Sequence, residues 1–197
     1  MGPPSSKEAP AGPDSLASMI ELRPLSVDDL SIARYIHAAA FARAAQGHYS
    51  AADIEAFGEF VRSPRYADLL LGNPAVGAWL GPDMVATAAW SPGEARSPTA
   101  RIFGVFLRPM FTGDGIGRRV VGHVEEEARE AGYPALEAAA TLNAAPFFEA
   151  IGFRFVRKGT WALPTGREIA VTFLRKAKFA GLSSRCRADG ARPWRGR

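Results

Sequence analysis

Apolar and polar positions alternate over Met19–Pro24, with Ile20 and Leu22 between polar neighbours, and a period of two predicts a short strand. Ser26-Val-Asp-Asp29 has the form of a capping box, serine first and an acid three residues on, so a helix is expected from there to about Ala45, ended by Gly47. Ser50-Ala-Ala-Asp53 repeats that signal and opens a second helix over Ala51–Val61, which Pro64 is expected to stop. Ala75–Leu80 and Met84–Ser91 read as two strands around the turn residues Gly81-Pro82-Asp83. Ser97–Leu107 reads as the next strand. From Ile116 the apolar positions are Ile116, Val120, Val121, Val124 and Ala128, a helical stripe with Glu125, Glu126 and Arg129 elsewhere. Gly132 is placed to end that helix, and Pro134 prevents its continuation.

Ala135–Thr141 reads as a short strand. Ala144–Ala150 reads as a short helix capped by Asn143 and ended by Gly152, with Pro146 in its tolerant first turn. Phe153–Arg157 and Glu168–Lys176 close the pattern as two strands, joined through Pro164-Thr-Gly166. No internal repeat is visible. The expected order is β-α-α-β-β-β-α-β-α-β-β, an α/β fold with a sheet of mixed direction.

Composition narrows this picture. At 197 residues the chain suits one domain with tails, and 47% hydrophobic against 22% charged residues is usual for a globular core. No apolar run reaches the length of a membrane span, and MGPPSSKEAPAGPDS lacks the apolar centre of a signal peptide. Residues 1–17, rich in Pro, Gly, Ser and Ala, are expected to be a disordered tail, because they bury too little apolar surface to offset ordering entropy. The folded domain is expected over 18–176.

The formal charge of +4 is unevenly placed. Residues 176–197 hold seven Lys and Arg against Asp189, a net +6, which leaves −2 for the rest. Residues 177–197 are thus expected to be a basic, disordered tail rather than a nucleic-acid surface built into the fold. The single cysteine, Cys186, excludes an internal disulfide and a cysteine metal cluster, and fits a reducing cytoplasm. No metal site and no membrane partner are expected.

Candidate chemistry begins at Phe111–Arg119, FTGDGIGRR, between a predicted strand and a predicted helix. Glycines at 113, 115 and 117 let backbone N–H groups approach an anion closely, and the helix start adds partial positive charge. A nucleoside-triphosphate loop needs Gly-Lys-Ser/Thr, whereas Gly117 is followed by Arg118-Arg119. The dinucleotide fingerprint needs glycine at 118 and a doubly wound sheet; Glu137 lies at a suitable distance for a ribose contact, but only one βαβ unit is available. A tight turn that uses glycine for geometry alone stays open.

A second stretch, Asn143–Phe153 (NAAPFFEAIGF), adds specificity. The two segments together resemble the GNAT superfamily of N-acetyltransferases, which use acetyl-coenzyme A. Leu107-Arg108-Pro109 and Thr112-Gly113-Asp114-Gly115-Ile116-Gly117 stand where that family has a hydrophobic-x-Pro step and Arg/Gln-x-x-Gly-x-Gly/Ala. Asn143-Ala144, Phe147-Phe148 and Gly152-Phe153 match its later signature. The resemblance covers about Ile20–Lys176. It implies a mainly antiparallel mixed sheet flanked by helices, and direct acetyl transfer to an amine of a small molecule or peptide, with acetyl-coenzyme A as co-substrate. It implies that N–H groups from Gly113 to Gly117 hold the pyrophosphate. The backbone at Phe106–Leu107 would pair with the pantetheine arm and polarise the thioester carbonyl. Asn143 would contact that arm from the other side.

Two positions depart from the family pattern. Thr112 replaces the usual Arg or Gln. Phe148 replaces the tyrosine proposed to protonate the leaving thiolate, help typically worth about 10²–10⁴-fold. A thiol of pKa ~8.5 leaves fairly well unaided. A non-catalytic acyl-coenzyme A binding domain is therefore the alternative. No general base is evident, and the candidates are His48, Tyr49 and Glu94. His37 and His123 fall in amphipathic helices and read as structural; Trp90, Phe103 and Phe106 read as core. Acceptor identity and homodimerisation stay open.

Overall fold

A computed structural model describes residues 16–93 and 97–177. Its elements are α1 (Leu16–Met19), β1 (Glu21–Pro24), α2 (Leu30–Ala44), α3 (Ala51–Arg62), α4 (Pro64–Leu71), β2 (Ala75–Leu80), β3 (Asp83–Pro92), β4 (Thr99–Leu107), α5 (Ile116–Glu130), β5 (Ala135–Thr141), α6 (Ala145–Ala150), β6 (Arg154–Ala162) and β7 (Glu168–Ala177), with a 3-10 turn at Pro109–Phe111. Seven strands form one sheet in the order β1-β2-β3-β4-β5-β7-β6. Every pair is antiparallel except β4–β5. The expected mixed, mainly antiparallel sheet is thus present. No described helix is long and apolar enough to cross a membrane.

Each face of the sheet carries its own core. On one, Val120, Val121, Val124 and Ala128 of α5 pack with Ala88, Ile102, Leu136, Ala138 and Phe148. The whole predicted stripe of α5 is buried, so its apolar face alone fixes how it lies on the sheet. On the other face, Ile36, Phe41, Phe57, Phe60, Tyr66 and Leu70 of α2–α4 pack with Ala89, Ile169 and Val171.

Several expectations are corrected. Leu16 and Ala17, assigned above to a disordered tail, form the start of α1, where Ala17 is buried. α1 also takes Met19 from the first predicted strand. Pro64 does not simply stop a helix: Ser63 ends α3 and caps α4, and Pro64 occupies the first turn of α4, where a missing N–H costs nothing. Ser50-Asp53 makes a complete capping box, whereas Ser26-Asp29 makes a turn in which Asp29 accepts from Ser26 and α2 begins without a side-chain cap. Asn143 does not cap α6, whose N-cap is Ala144. β6 continues to Ala162, five pairs beyond the expected end at Arg157, because its ladder with β7 supplies backbone bonds whatever its exposed side chains are. Residues 1–15, Glu94 and residues 178–197, with Cys186, lie outside the described residues.

Candidate functional site

The site begins where β4 and β5 separate. Their parallel ladder runs from Thr99↔Ala135 only to Ile102↔Ala138. Beyond it, β4 continues to Leu107 paired with β3 alone, and β5 continues to Thr141 paired with β7 alone. The facing backbone edges of 103–107 and 139–141 therefore have no sheet partner among the described residues, and such groups are ready to bind an extended ligand.

A bulge on β4 accompanies this opening. Thr87 pairs with Phe106 and Ala89 with Phe103, so two steps on β3 meet three on β4. Gly104 lies within the extra residue's span at φ 61°, a conformation that glycine adopts without strain. One added residue reverses side-chain parity. Ala100 and Ile102 face α5 before the bulge, and Val105 and Leu107 do so after it. Phe103 and Phe106 both turn to the α2–α4 face.

The glycine segment follows directly. Gly113 and Gly115 hold φ of 100° and 77°, and Gly115 is the N-cap of α5 with no side-chain cap bond. The first-turn N–H groups of a helix have no intrahelical acceptor, so those of α5 face outward with the positive end of its dipole. A Cβ on Gly113 would meet nothing within 4 Å, whereas one on Gly117 would stand 3.3 Å from the ring of Phe147. Gly117 thus lets α5 and α6 approach, which joins the glycine segment to the Asn143 segment. Thr112 and Gly113 are exposed, and Asp114, Gly115 and Gly117 are half-buried beside buried Ile116.

Across the opening, Asn143 follows β5. Its side-chain Oδ1 is buried and has no hydrogen-bond partner among the described residues. Tyr49 reaches the same place: its hydroxyl donates to the Ala170 carbonyl at 2.6 Å and accepts from the Leu142 N–H at 2.8 Å. Burial, and secondarily the charge of Asp53, pushes the Tyr49 phenol up, while the Leu142 N–H opposes them. Asp53 also binds Arg167 at 2.6 Å, so the start of α3 is tied to the β6–β7 hairpin. Its carboxyl lies below the usual range, first through Ser50 and then through Arg167.

Other predicted residues fall elsewhere. His48 is exposed on the α2–α3 connection. Phe148 is 5% exposed and packs edge-to-face on Phe147 and Phe153 in the α5-side core. Trp90 is buried core and donates to Glu127, and His123 pairs with the same carboxylate. Glu137, a suitable distance in sequence for a ribose contact, takes a different place in the fold. It sits on β5 one pair before the separation, between Arg101 of β4 and Arg175 of β7 on the α2–α4 face. The sequence signal for this opening was Gly104, a lone glycine inside an apolar strand, which marks a bulge.

A family model described as the acetyltransferase (GNAT) family matches residues 34–153. Among curated proteins, none matches the chain in sequence. Solved structures do. A GCN5-related N-acetyltransferase from Rhodopseudomonas palustris aligns with TM-score 0.71 and 23% identity, covering 80% of this chain and 95% of that one. The PaiA N-acetyltransferase of Thermoplasma acidophilum, solved with coenzyme A, aligns with TM-score 0.63 and 17% identity over 81% and 99%. A GNAT family acetyltransferase from Brucella melitensis, solved with acetyl-CoA, aligns with TM-score 0.56 and 20% identity over 83% and 91%. At these identities the likeness is one of fold.

Proposed function

Because the chain belongs to the acetyltransferase (GNAT) family, we propose that it moves an acetyl group from acetyl-coenzyme A to an amine by direct attack. The observation that carries this reading is the separation of β4 from β5 beside the uncapped, glycine-rich start of α5. An extended thiol-bearing arm needs unpaired strand edges, and a pyrophosphate needs free N–H groups; both lie side by side here.

The residues present fit this co-substrate. N–H groups from Gly113 to Gly117 would hold the pyrophosphate, with Thr112, Asp114 and Ile116 contributing backbone. The freed edge at Phe106–Leu107 would pair with the pantetheine arm and donate to the thioester oxygen. The orphaned Oδ1 of Asn143 would accept from an amide of that arm. Bound acetyl-coenzyme A supplies an activated acyl carbon and a thiol leaving group. The acceptor nitrogen would bond to that carbon as the carbon–sulfur bond breaks, and the amine proton would pass to a base. Tyr49 keeps its proton at neutral pH and is engaged by two backbone groups, which disfavours it as that base. Glu137 is the carboxylate that strand register places nearest the separation, and we assign it to proton removal through water.

One observation favours a second reading. Phe148 has no hydroxyl and packs in the core, so no acid for the thiolate is visible at that position. A domain that binds acyl-coenzyme A without turnover would have this feature. Thermal shift with acetyl-coenzyme A, coenzyme A, ATP and NAD in parallel tests the cofactor, and thiol release across an amine panel tests turnover. Binding with a hundredfold excess over Kd stabilises by about 2.7 kcal/mol. A shift with the coenzyme A forms and amine-dependent thiol release is expected. No shift with either form would withdraw the reading, and a shift without release would favour the binding domain.

A further inference from the structure

Between α2, α4, β3 and β4 lies a chain of buried polar groups that the proposed chemistry does not use. The Tyr66 hydroxyl meets His37 Nδ1, His37 Nε2 lies 2.6 Å from Thr87 Oγ1, and Thr87 Oγ1 lies 2.6 Å from the Gly104 carbonyl. His37 and Thr87 are at most 1% exposed and Tyr66 3%. The direction of every bond follows from the inventory of hydrogens. A carbonyl only accepts, so the one Thr87 hydroxyl hydrogen goes to Gly104. Thr87 then accepts from His37, which requires a proton on Nε2. A neutral imidazole has its other nitrogen bare, so Nδ1 accepts from Tyr66. Burial holds the ring neutral, with its pKa lowered to about 3. Each member is satisfied in one direction only.

The chain ends on the bulge that opens the site. Gly104 carries its carbonyl where the β3–β4 ladder is interrupted. In a trans peptide the N–H points opposite the C=O, so holding the Gly104 oxygen also sets the direction of the Val105 N–H. His37 grips the strand a second time: Phe106 stacks on its ring at 4.4 Å and 30°. Two contacts from one buried ring thus control both ends of Gly104–Phe106.

We propose that His37 is a positioning residue which, through Thr87, locks the Gly104–Val105 peptide and so sets the course of β4 into Phe106–Leu107, whose backbone would polarise the thioester carbonyl. The inference rests on the acetyltransferase reading for its consequence, but the chain itself does not. Without this brace the glycine is free to rotate its peptide plane, and a donor aimed a few tens of degrees away loses most of its value.

Two measurements test it. In the free protein, nitrogen-15 spectra of the imidazole should show His37 protonated on Nε2 and bare on Nδ1 from pH 8 to pH 5. The opposite tautomer, or titration within that range, would overturn the chain. Infrared spectroscopy of carbonyl-labelled acetyl-coenzyme A bound to the protein needs no acceptor. The wild type should lower the thioester stretch relative to free ligand, Thr87→Val should lose that shift, and Thr87→Ser, which keeps the hydroxyl, should restore it. Kd for coenzyme A, which lacks the carbonyl, should stay within about threefold in both variants. Retention of the shift in Thr87→Val, or loss of the shift together with coenzyme A affinity, would overturn the positioning role. A wild type that binds neither ligand would defeat the acetyltransferase reading, and the ring spectrum would still decide the chain.

Discussion

Ile102 on β4 and Ala138 on β5 form the last pair of the parallel ladder between these strands. Past this pair the two edges have no strand partner, so their amides should exchange with solvent faster than those of β2 or β7. Coenzyme A is expected to slow exchange at Phe103–Leu107 and at Gly113–Arg118, while β6, at the far edge of the sheet, stays unchanged. Residue-resolved hydrogen exchange with and without ligand reads this directly. Protection confined to other segments would move the site.

The glycine segment should be sensitive to a single methyl group. Gly115 is the N-cap of α5 with φ 77°, where a Cβ costs roughly 1–2 kcal/mol. Relief of that strain would turn the peptide away and withdraw N–H groups from the phosphates proposed to bind there. A hydrogen bond to a charged group is worth roughly 1.5–3 kcal/mol, so Gly115→Ala should raise Kd for coenzyme A roughly tenfold to a hundredfold. Calorimetry at fixed salt measures the change, and thermal unfolding should show only the smaller strain penalty. Unchanged affinity would leave Gly113–Gly117 as a turn alone.

Much of this was legible beforehand, for identifiable reasons. The α5 stripe is read straight from its spacing, since Ile116, Val120, Val121, Val124 and Ala128 form one face and nothing competes with it. α4 was missed because Pro64 carries two meanings, and only the cap from Ser63 distinguishes a helix start from a stop. Asn143 offered equally good chemistry as cap or ligand; the structure starts α6 one residue later and leaves Oδ1 unpartnered. His37 reads as structural from its place in an amphipathic helix, and it is buried; its link to the β4 bulge is not legible, because its partners Tyr66 and Thr87 are 29 and 50 positions away in sequence and Thr87 in turn reaches Gly104. Only tertiary packing brings such groups together, so no local pattern announces them.

Asn143 gives a prediction in which stability and binding move oppositely. A buried acceptor without a partner costs free energy in the unliganded protein. Asn143→Ala removes that acceptor, and should leave the free protein as stable or more stable by about 1 kcal/mol. If Asn143 contacts the pantetheine arm as proposed, the same change should weaken coenzyme A roughly threefold to tenfold. Chemical unfolding and calorimetry on one preparation measure both. A variant that is less stable, with full affinity, would show that Asn143 serves the fold instead.

His37 should also leave a mark on the pH dependence of stability. Its folded pKa lies at about 3 against an ordinary 6.5, and burial is the cause. Between those values the unfolded chain binds a proton that the folded chain refuses. Stability is therefore fully present above pH 6.5 and falls as pH falls, by up to about 1.4 kcal/mol per pH unit, until the folded group itself titrates. By pH 5 the loss reaches about 2 kcal/mol. The groups packed around the ring do not reverse this sign: Tyr66 is pushed above its usual value by burial, Thr87 and Phe106 do not titrate, and Arg34 donates to the Ser63 carbonyl. Asp53 adds a separate loss at lower pH, beginning as its carboxyl takes up protons around and below its ordinary 3.8; because it is only half-buried and its partner Arg167 is exposed, that loss is small. Urea unfolding at pH 7, 6 and 5 should show the slope in the wild type. His37→Gln keeps an amide to donate to Thr87 but cannot titrate, so its stability should be nearly flat over this range, whatever its absolute value. A wild-type profile as flat as that of the variant would mean that the ring is not buried neutral, and the directed chain from Tyr66 to Gly104 would lose its basis.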